Sequence, residues 1–168
     1  TNNNSLIVID NTKPTLQVSI SSNNSYGHDA YNYKAYPGDT ITLFATSSKP
    51  LQSFNVSLWT STPSGATAFV SASDPGIVVE STIDKISHTA TYTLPDNFSE
   101  EGQVGFSITF HDAIGVAGDT VTQTALYQGT PNIVTDDNSS VTIHILPTLS
   151  NVSISSNNSY DPTKAKVG

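Results

Sequence analysis

Apolar and polar residues alternate with a period of two over most of the chain. The pattern holds at Val18/Ile20, Ile41/Leu43/Ala45, Phe54/Val56/Leu58 and Ala90/Tyr92/Leu94, and again at Val104/Phe106/Ile108/Phe110 and Val141/Ile143/Ile145. Ser, Thr and Asn fill most of the intervening positions, as expected of strands with one face in a core and the other in water. Ala68–Val70 and Ile77–Glu80 are two shorter candidates. No segment carries the 3.6-residue period of an amphipathic helix.

Turn formers divide these runs. They are Pro37-Gly38-Asp39, Pro63-Ser64-Gly65, Asp74-Pro75-Gly76, Pro95-Asp96-Asn97 and Glu101-Gly102. Short strands at this spacing predict an all-β chain, an immunoglobulin-like antiparallel β-sandwich of seven to nine strands. Alternation from Leu58 turns Trp59 outward, to the rim of the sandwich. The stretch from Gly118 to Asn138 is irregular and too long for a plain hairpin, so an elaborated hairpin or flap is expected there, and a partner contact would sit on it.

A repeat shapes the domain boundaries. Val18-Ser19-Ile20-Ser21-Ser22-Asn23-Asn24-Ser25-Tyr26 recurs unchanged as Val152 to Tyr160, an offset of 134 positions from 18 to 152. Thr1-Asn2-Asn3-Asn4-Ser5 answers Thr135-Asp136-Asp137-Asn138-Ser139 at the same offset, and Pro14-Thr15-Leu16 answers Pro147-Thr148-Leu149 shifted by one. Nine identical residues in matching context read as internal repetition. Residues 1–13 are then expected to be the last strand of a preceding repeat and the joint, residues 14–146 one complete repeat, and residues 147–168 the start of the next. One sandwich needs only one copy of the duplicated strand. The second is expected to begin another domain or to pair with a neighbour, and removal of residues 147–168 is expected to leave the fold intact.

Composition narrows the function. The chain has 168 residues, 14 acids against 6 lysines, no arginine, no cysteine and a net charge of −8. Phosphate backbones demand dense Lys and Arg, so nucleic acid is excluded as a partner, and the same balance disfavours anionic membrane surfaces. No apolar run approaches the roughly 20 residues of a membrane span, so no membrane insertion is expected. Without cysteine there is no disulfide, thiolate nucleophile or zinc-thiolate site.

Two segments resemble a known family. Asp10-Asn11-Thr12-Lys13-Pro14-Thr15 is similar to the joint between bacterial and archaeal Ig-like repeats, written D-N-T-x-P-T. Tyr92-Thr93-Leu94-Pro95 and the run from Glu101-Gly102-Gln103-Val104 to Asp112-Ala113-Ile114-Gly115-Val116-Ala117-Gly118 resemble that family's strand and hairpin, with Val116 where Asn is usual. The resemblance covers about a fifth of the chain. It implies a surface location and a structural or adhesive role, as in S-layer proteins and adhesin stalks, and no catalytic residue.

Candidate chemistry is sparse. Sequons stand at Asn3, Asn23, Asn55, Asn97, Asn138, Asn151 and Asn157, and Asn55 falls on the outer face of its strand, where a glycan could project. Calcium needs several oxygens on loops. The donor sets are Asp10 with Asn11 at the joint, Asp112 with Asp119 across the hairpin, and Asp136 with Asp137; turn formation is the plain alternative. His28, His88, His111 and His144 lack ligand spacing, and neither G-x-S-x-G nor H-E-x-x-H occurs. Alternation sets His144 toward solvent. Lys13, Lys34, Lys49 and Lys85 fall outside clear core positions for an isopeptide crosslink. Tyr26, Tyr31, Tyr33 and Tyr36 cluster, and Tyr31, Tyr33 and Tyr36 could form a sugar platform.

The expected function is a non-enzymatic structural repeat of an extracellular, cell-surface or envelope protein, providing spacing and assembly, with no cofactor required beyond a candidate Ca²⁺. Its partners would be neighbouring repeats or lattice copies, and Pro14 and Pro147 would stiffen each joint. The alternative is an adhesin or carbohydrate-binding module with a glycan ligand.

Overall fold

A computed structural model describes residues 10–25, 31–62, 65–70, 74–124, 133–147, 150, 152–153 and 156. Ten strands run through them: β1 Leu16–Ser22, β2 Asn32–Ala35, β3 Thr40–Ser47, β4 Leu51–Thr62, β5 Gly65–Val70, β6 Val78–Ser81, β7 Ser87–Thr93, β8 Gly102–Asp112, β9 Val121–Gln123 and β10 Ser140–Ile143. Nine of them lie along two sheets. One has the order β1-β3-β7-β6 and the other β2-β10-β8-β4-β5, while β9 adds to the second sheet beside β8. The arrangement is the expected immunoglobulin-like sandwich.

The alternating positions meet between the sheets. Val18, Ile20, Ile41, Leu43, Ala45, Phe54, Val56, Leu58, Val104, Phe106, Ile108, Phe110, Val141 and Ile143 are all buried in one core cluster. Three positions differ from the simple alternation. Tyr92 is only partly buried against this core. Ile145 is 41% exposed, because β10 ends at Ile143 and His144 N–H makes a last bond to the Ala35 carbonyl (2.8 Å). The residues of β6 are exposed throughout, as β6 is an edge strand. Trp59 is half-buried at a register shift between β4 and β5, as befits a rim residue.

The first two strands lie in different sheets. β1 pairs antiparallel with β3 (Val18 opposite Ala45, Ile20 opposite Leu43), whereas β2 pairs in parallel with β10. This sets the direction of the whole unit. Leu16 and Ser47 mark one pole, which we call the lower, together with Leu51 and Asp112. Ser22 opposite Ile41, Thr40 opposite Thr93 and Ile143 opposite Gly102 mark the upper pole. The chain enters the sandwich at the lower pole and leaves β10 at the upper one.

The flap expected over residues 118–138 is only partly described. Within it β9 pairs with Phe106–Ile108, and Gln123, fully buried, accepts a hydrogen bond from Val134 N–H through Oε1 (3.2 Å). A buried carboxamide with a main-chain partner holds the returning chain onto the sheet. Residues 125–132 lie outside the described residues.

Candidate functional site

Two side-chain clusters hold the chain around β1, and both draw on residues singled out in the sequence. The first is at the lower pole, where the joint meets the sandwich. Asp10 Oδ1 accepts from Thr12 N–H (3.0 Å) and from the Thr12 hydroxyl (2.6 Å), a local turn typical of Asp before Thr. Its other oxygen, Oδ2, accepts from Lys49 Nζ (2.7 Å), which also donates to the Thr12 carbonyl (2.6 Å). Lys49 in turn lies 3.8 Å from Asp112 Oδ2, whose side chain is only 3% exposed. Lys49 first, then the Thr12 hydroxyl and amide, hold the Asp10 carboxyl well below the usual carboxylate range.

Asp112 is the fixed member of this cluster. Its Oδ1 accepts from the amides of Ile114 (3.0 Å) and Val116 (2.8 Å), closing the hairpin, which turns at Gly115 with φ +90°. A left-handed φ favours glycine there. At Gly118 a Cβ would come within 2.0 Å of the Phe110 ring, so the second glycine of the motif lets the hairpin close over a core aromatic. Pro14 is buried beyond the joint, and Thr15 and Ser48 exchange two hydrogen bonds of 2.9 Å. A shallow cavity of about 280 Å³ opens beside Asp10, Lys49, Asp112 and Ile114.

The second cluster clamps β1. Asp136 Oδ2 accepts from Val18 N–H (2.6 Å), Asp136 N–H donates to the Val18 carbonyl (2.9 Å), and Ser139 Oγ accepts from Ile20 N–H (2.8 Å). Asp137 Oδ1 accepts from Ser139 N–H (3.0 Å), and the Thr135 hydroxyl donates to the Ser139 carbonyl (2.8 Å). The turn Thr135–Ser139 therefore satisfies Val18 N–H, the Val18 carbonyl and Ile20 N–H on the side of β1 away from β3. An edge strand so covered offers no template for further pairing.

The six metal candidates are thus distributed. Asp10 and Asp112 face the same lysine, whose ammonium stands between them. Asp119, well exposed, pairs with Lys13, Asp136 and Asp137 serve the clamp, and Asn11 is exposed beside the joint. Among the described residues no group of three or more His, Cys, Asp or Glu is arranged to hold a metal ion.

The sequons fall on varied ground. Asn55 and Asn97 are exposed, Asn55 on the outer face of β4 as its alternation requires. Asn138 is exposed in the clamp turn with φ +59°. Asn23 is exposed too, but its side-chain oxygen accepts from Thr40 N–H (2.8 Å). Asn3, Asn151 and Asn157 lie outside the described residues, as do Tyr26 and His28.

The tyrosines differ in exposure. Tyr31 is 55% exposed, Tyr33 packs against the core, and the half-buried Tyr36 sits 6.0 Å from the His144 ring.

Histidines divide by environment. His111 is exposed with Nδ1 3.0 Å from Ser53 Oγ, and His144, half-buried rather than fully solvent-facing, lies 3.2 Å from Glu101. His88 is buried, stacked on Phe54 with centroids 4.9 Å apart. Its Nε2 is 3.0 Å from the Lys85 carbonyl, which can only accept, so Nε2 carries the proton and Nδ1 accepts from Ser81 Oγ (2.8 Å). Burial lowers the His88 pKa, opposed by the Lys85 carbonyl and by Asp84. The stack joins β7 of one sheet to β4 of the other.

Sequence reasoning passed over three residues that matter here: Lys49 as the holder of the joint, Ser139 as a clamp acceptor, and Gln123. Only Ser139 left a usable signal, since it lies in the duplicated block Thr135–Ser139.

No family model matches the chain, and no curated protein matches it. A solved structure described as the GspB Siglec domain is similar at 14% identity with a TM-score of 0.43, over 89% of this chain and 66% of that one. The chain thus spans just under two thirds of that structure, and at such a score the likeness adds nothing to the reading of its residues.

Proposed function

We propose that this chain is a structural repeat of an extracellular surface protein, of the S-layer or stalk kind, that sets spacing by end-to-end stacking of sandwiches. The observation that carries this is the polarity of the unit. The joint enters at the lower pole, β10 exits at the upper, and a copy of β1 follows the exit. The clamp supports the same reading, because Thr135–Ser139 precedes the last strand and holds β1 of the same unit. Its sequence counterpart, Thr1–Ser5, stands one repeat earlier, where it would hold the β1 of a preceding unit. Lys49 then anchors the incoming joint to the body of the domain. We assign the chain no catalytic step and place it at the cell surface.

A concatenated protein with residues 1–134 placed directly before the 168-residue chain tests the reading. It should unfold as two like units and give an elongated small-angle scattering profile about twice as long as one sandwich. A compact particle, or two copies that cannot fold side by side in one chain, would reject it. Specific binding on a glycan array that is lost in Tyr31→Ala would favour the adhesin or carbohydrate-binding alternative instead.

A further inference from the structure

We infer that the outer face of the sheet β1-β3-β7-β6 is a binding site for a neutral oligosaccharide, with the ring of Phe44 as its stacking platform. The inference goes beyond the repeat reading and does not rest on it. β3 sends Ile41, Leu43 and Ala45 into the core and leaves Phe44 on the other side, 43% exposed. One cross-strand row holds it: Ser19 on β1, Phe44 on β3, Thr89 on β7 and Glu80 on β6. The next row toward the lower pole is Gln17, Thr46 and Ser87. Three strand spacings carry the first row over about 14 Å, longer than a single sugar needs.

Two observations point to a ligand. The first is shape. A hollow of about 290 Å³ lies on the β1 side of Phe44, against Gln17, Ser19 and Thr46. Another of about 190 Å³ lies on the β7 and β6 side, against Ser87, Thr89 and Glu80. Phe44 lines both, so a chain lying across the ring can settle a sugar on either side of it. The second is unused hydrogen-bonding capacity. Among the described residues the side chains of Gln17, Ser19, Thr46 and Thr89 make no hydrogen bond within the domain. By contrast, Thr40 and Thr93 at the upper end of the same face bond each other (2.9 Å). Hydroxyls and a carboxamide both donate and accept, which suits the hydroxyls of a sugar. The weakly positive C–H face of a pyranose stacks on the negative face of an aromatic ring.

Charge and backbone pairing choose the occupant. Glu80 borders one hollow, Asp136 and Asp137 border the other, and among the described residues no lysine lines either. An anionic sugar would therefore meet like charge. A peptide strand would need a free ladder edge, but β3 is paired on both sides, by β1 and β7. One ring among hydroxyls is too little apolar area to hold a second copy of the chain.

Titration of the 168-residue protein with hexaoses of glucose, mannose, galactose and N-acetylglucosamine, followed by NMR, tests this. At least one should bind with a Kd of about 1 mM or tighter, with shifts centred on Ser19, Phe44, Thr46 and Thr89. Phe44→Ala should weaken that binding about tenfold or more and move Tm by less than about 3 °C. Phe44→Tyr should retain the binding, Tyr31→Ala should leave it unchanged, and 3′-sialyllactose should bind no better than lactose. Should Phe44→Ala unfold, Thr46→Val, which keeps the shape and removes a hydroxyl, should weaken binding about threefold or more. No saturable shift with any hexaose at about 10 mM, shifts centred on Tyr31, or tighter binding of the sialylated sugar would each overturn the inference. Binding at the wild-type level in folded Phe44→Ala, or in Thr46→Val where Phe44→Ala unfolds, would do the same. The concatenated protein could fold as two units whichever way the titration falls, so this inference and the repeat reading fail separately.

Discussion

Val18 and Val152 open the same nine-residue sequence, and the first is 3% exposed while the second is 77% exposed. Their local propensities are identical, so propensity did not decide the difference. The first copy has β3 on one side, the Thr135–Ser139 clamp on the other and a core beneath it. The comparison separates what a strand sequence contributes from what its seat contributes, and it agrees with the view that β-propensity records fit to a half-buried surface more than a backbone preference.

Equal truncations in the two copies should give the most unequal results. Ile20→Ala deletes core side-chain volume and should cost about 2–5 kcal/mol in urea unfolding, whereas Ile154→Ala should change it by less than about 0.5 kcal/mol. Comparable losses from both would mean that the second copy shares this core, and the contrast would collapse.

The clamp is the next lever. Asp136→Ala removes the carboxylate that accepts from Val18 N–H and should cost about 1–2 kcal/mol, with faster hydrogen exchange at Val18 than at its neighbours on β3. Asp136→Asn, which keeps an acceptor and matches Asn2 in the other copy of the block, should recover part of it. An unchanged exchange rate at Val18 in Asp136→Ala would show that β3 alone holds β1.

How far the sequence could be read follows from the kind of contact each residue makes. Period-two alternation located the core of β1, β3, β4 and β8 because each of those strands keeps one face inward over the run Val18–Ile20, Ile41–Ala45, Phe54–Leu58 or Val104–Phe110. It misplaced Ile145 because the pattern continues past the point where β10 leaves the sheet. It could not mark β6 as an exposed edge, since sheet order depends on contacts distant in sequence. The joint and hairpin motifs pointed to Asp10 and Asp112. Their common neighbour was hidden, because Lys49 is 39 residues from Asp10 and belongs to no motif. The acids considered as calcium donors are bound up in turns, in the clamp and in lysine contacts, and those partners are visible only in the fold. The repeat was the clearest signal of all, yet nothing in its letters distinguished buried Val18 from exposed Val152.

A smaller effect ties pH to the first copy alone. His88 stands opposite Ala45, which stands opposite Val18, so one rung of the sheet joins them. Burial lowers the His88 pKa below its ordinary value. The unfolded chain therefore binds more protons just below pH 6.5. This contribution to stability is complete above that pH and is lost as pH falls through the folded value. Urea unfolding at pH 7.5 and 5.5 should show wild type losing more stability on acidification than His88→Gln. The methyl resonances of Val18 should follow the change and those of Val152 should not. Parallel slopes for wild type and His88→Gln would remove His88 from the account.

The smallest expected effect lies at the Asp10–Lys49 contact. Asp10 is held by Lys49 at the lower pole, and His144 is near Glu101 at the upper one. Lys49→Gln removes the ammonium, so the Asp10 carboxyl should titrate closer to the ordinary aspartate range, while Lys49→Arg should keep it low. Because Asp10 is depressed in the folded protein, its contribution is present above about pH 4 and fades as pH falls below that. Lys49→Gln should flatten that acid limb and barely move the midpoint at pH 7, since an exposed pair contributes little there. Carbon-detected titration of Asp10 reads the first effect directly, and amide exchange over residues 10–13 reads the loosening of the joint. Exchange that quickened equally around His144 would show a general softening of the domain, whereas a change confined to residues 10–13 makes Lys49 the point at which the domain grips the chain leading into β1.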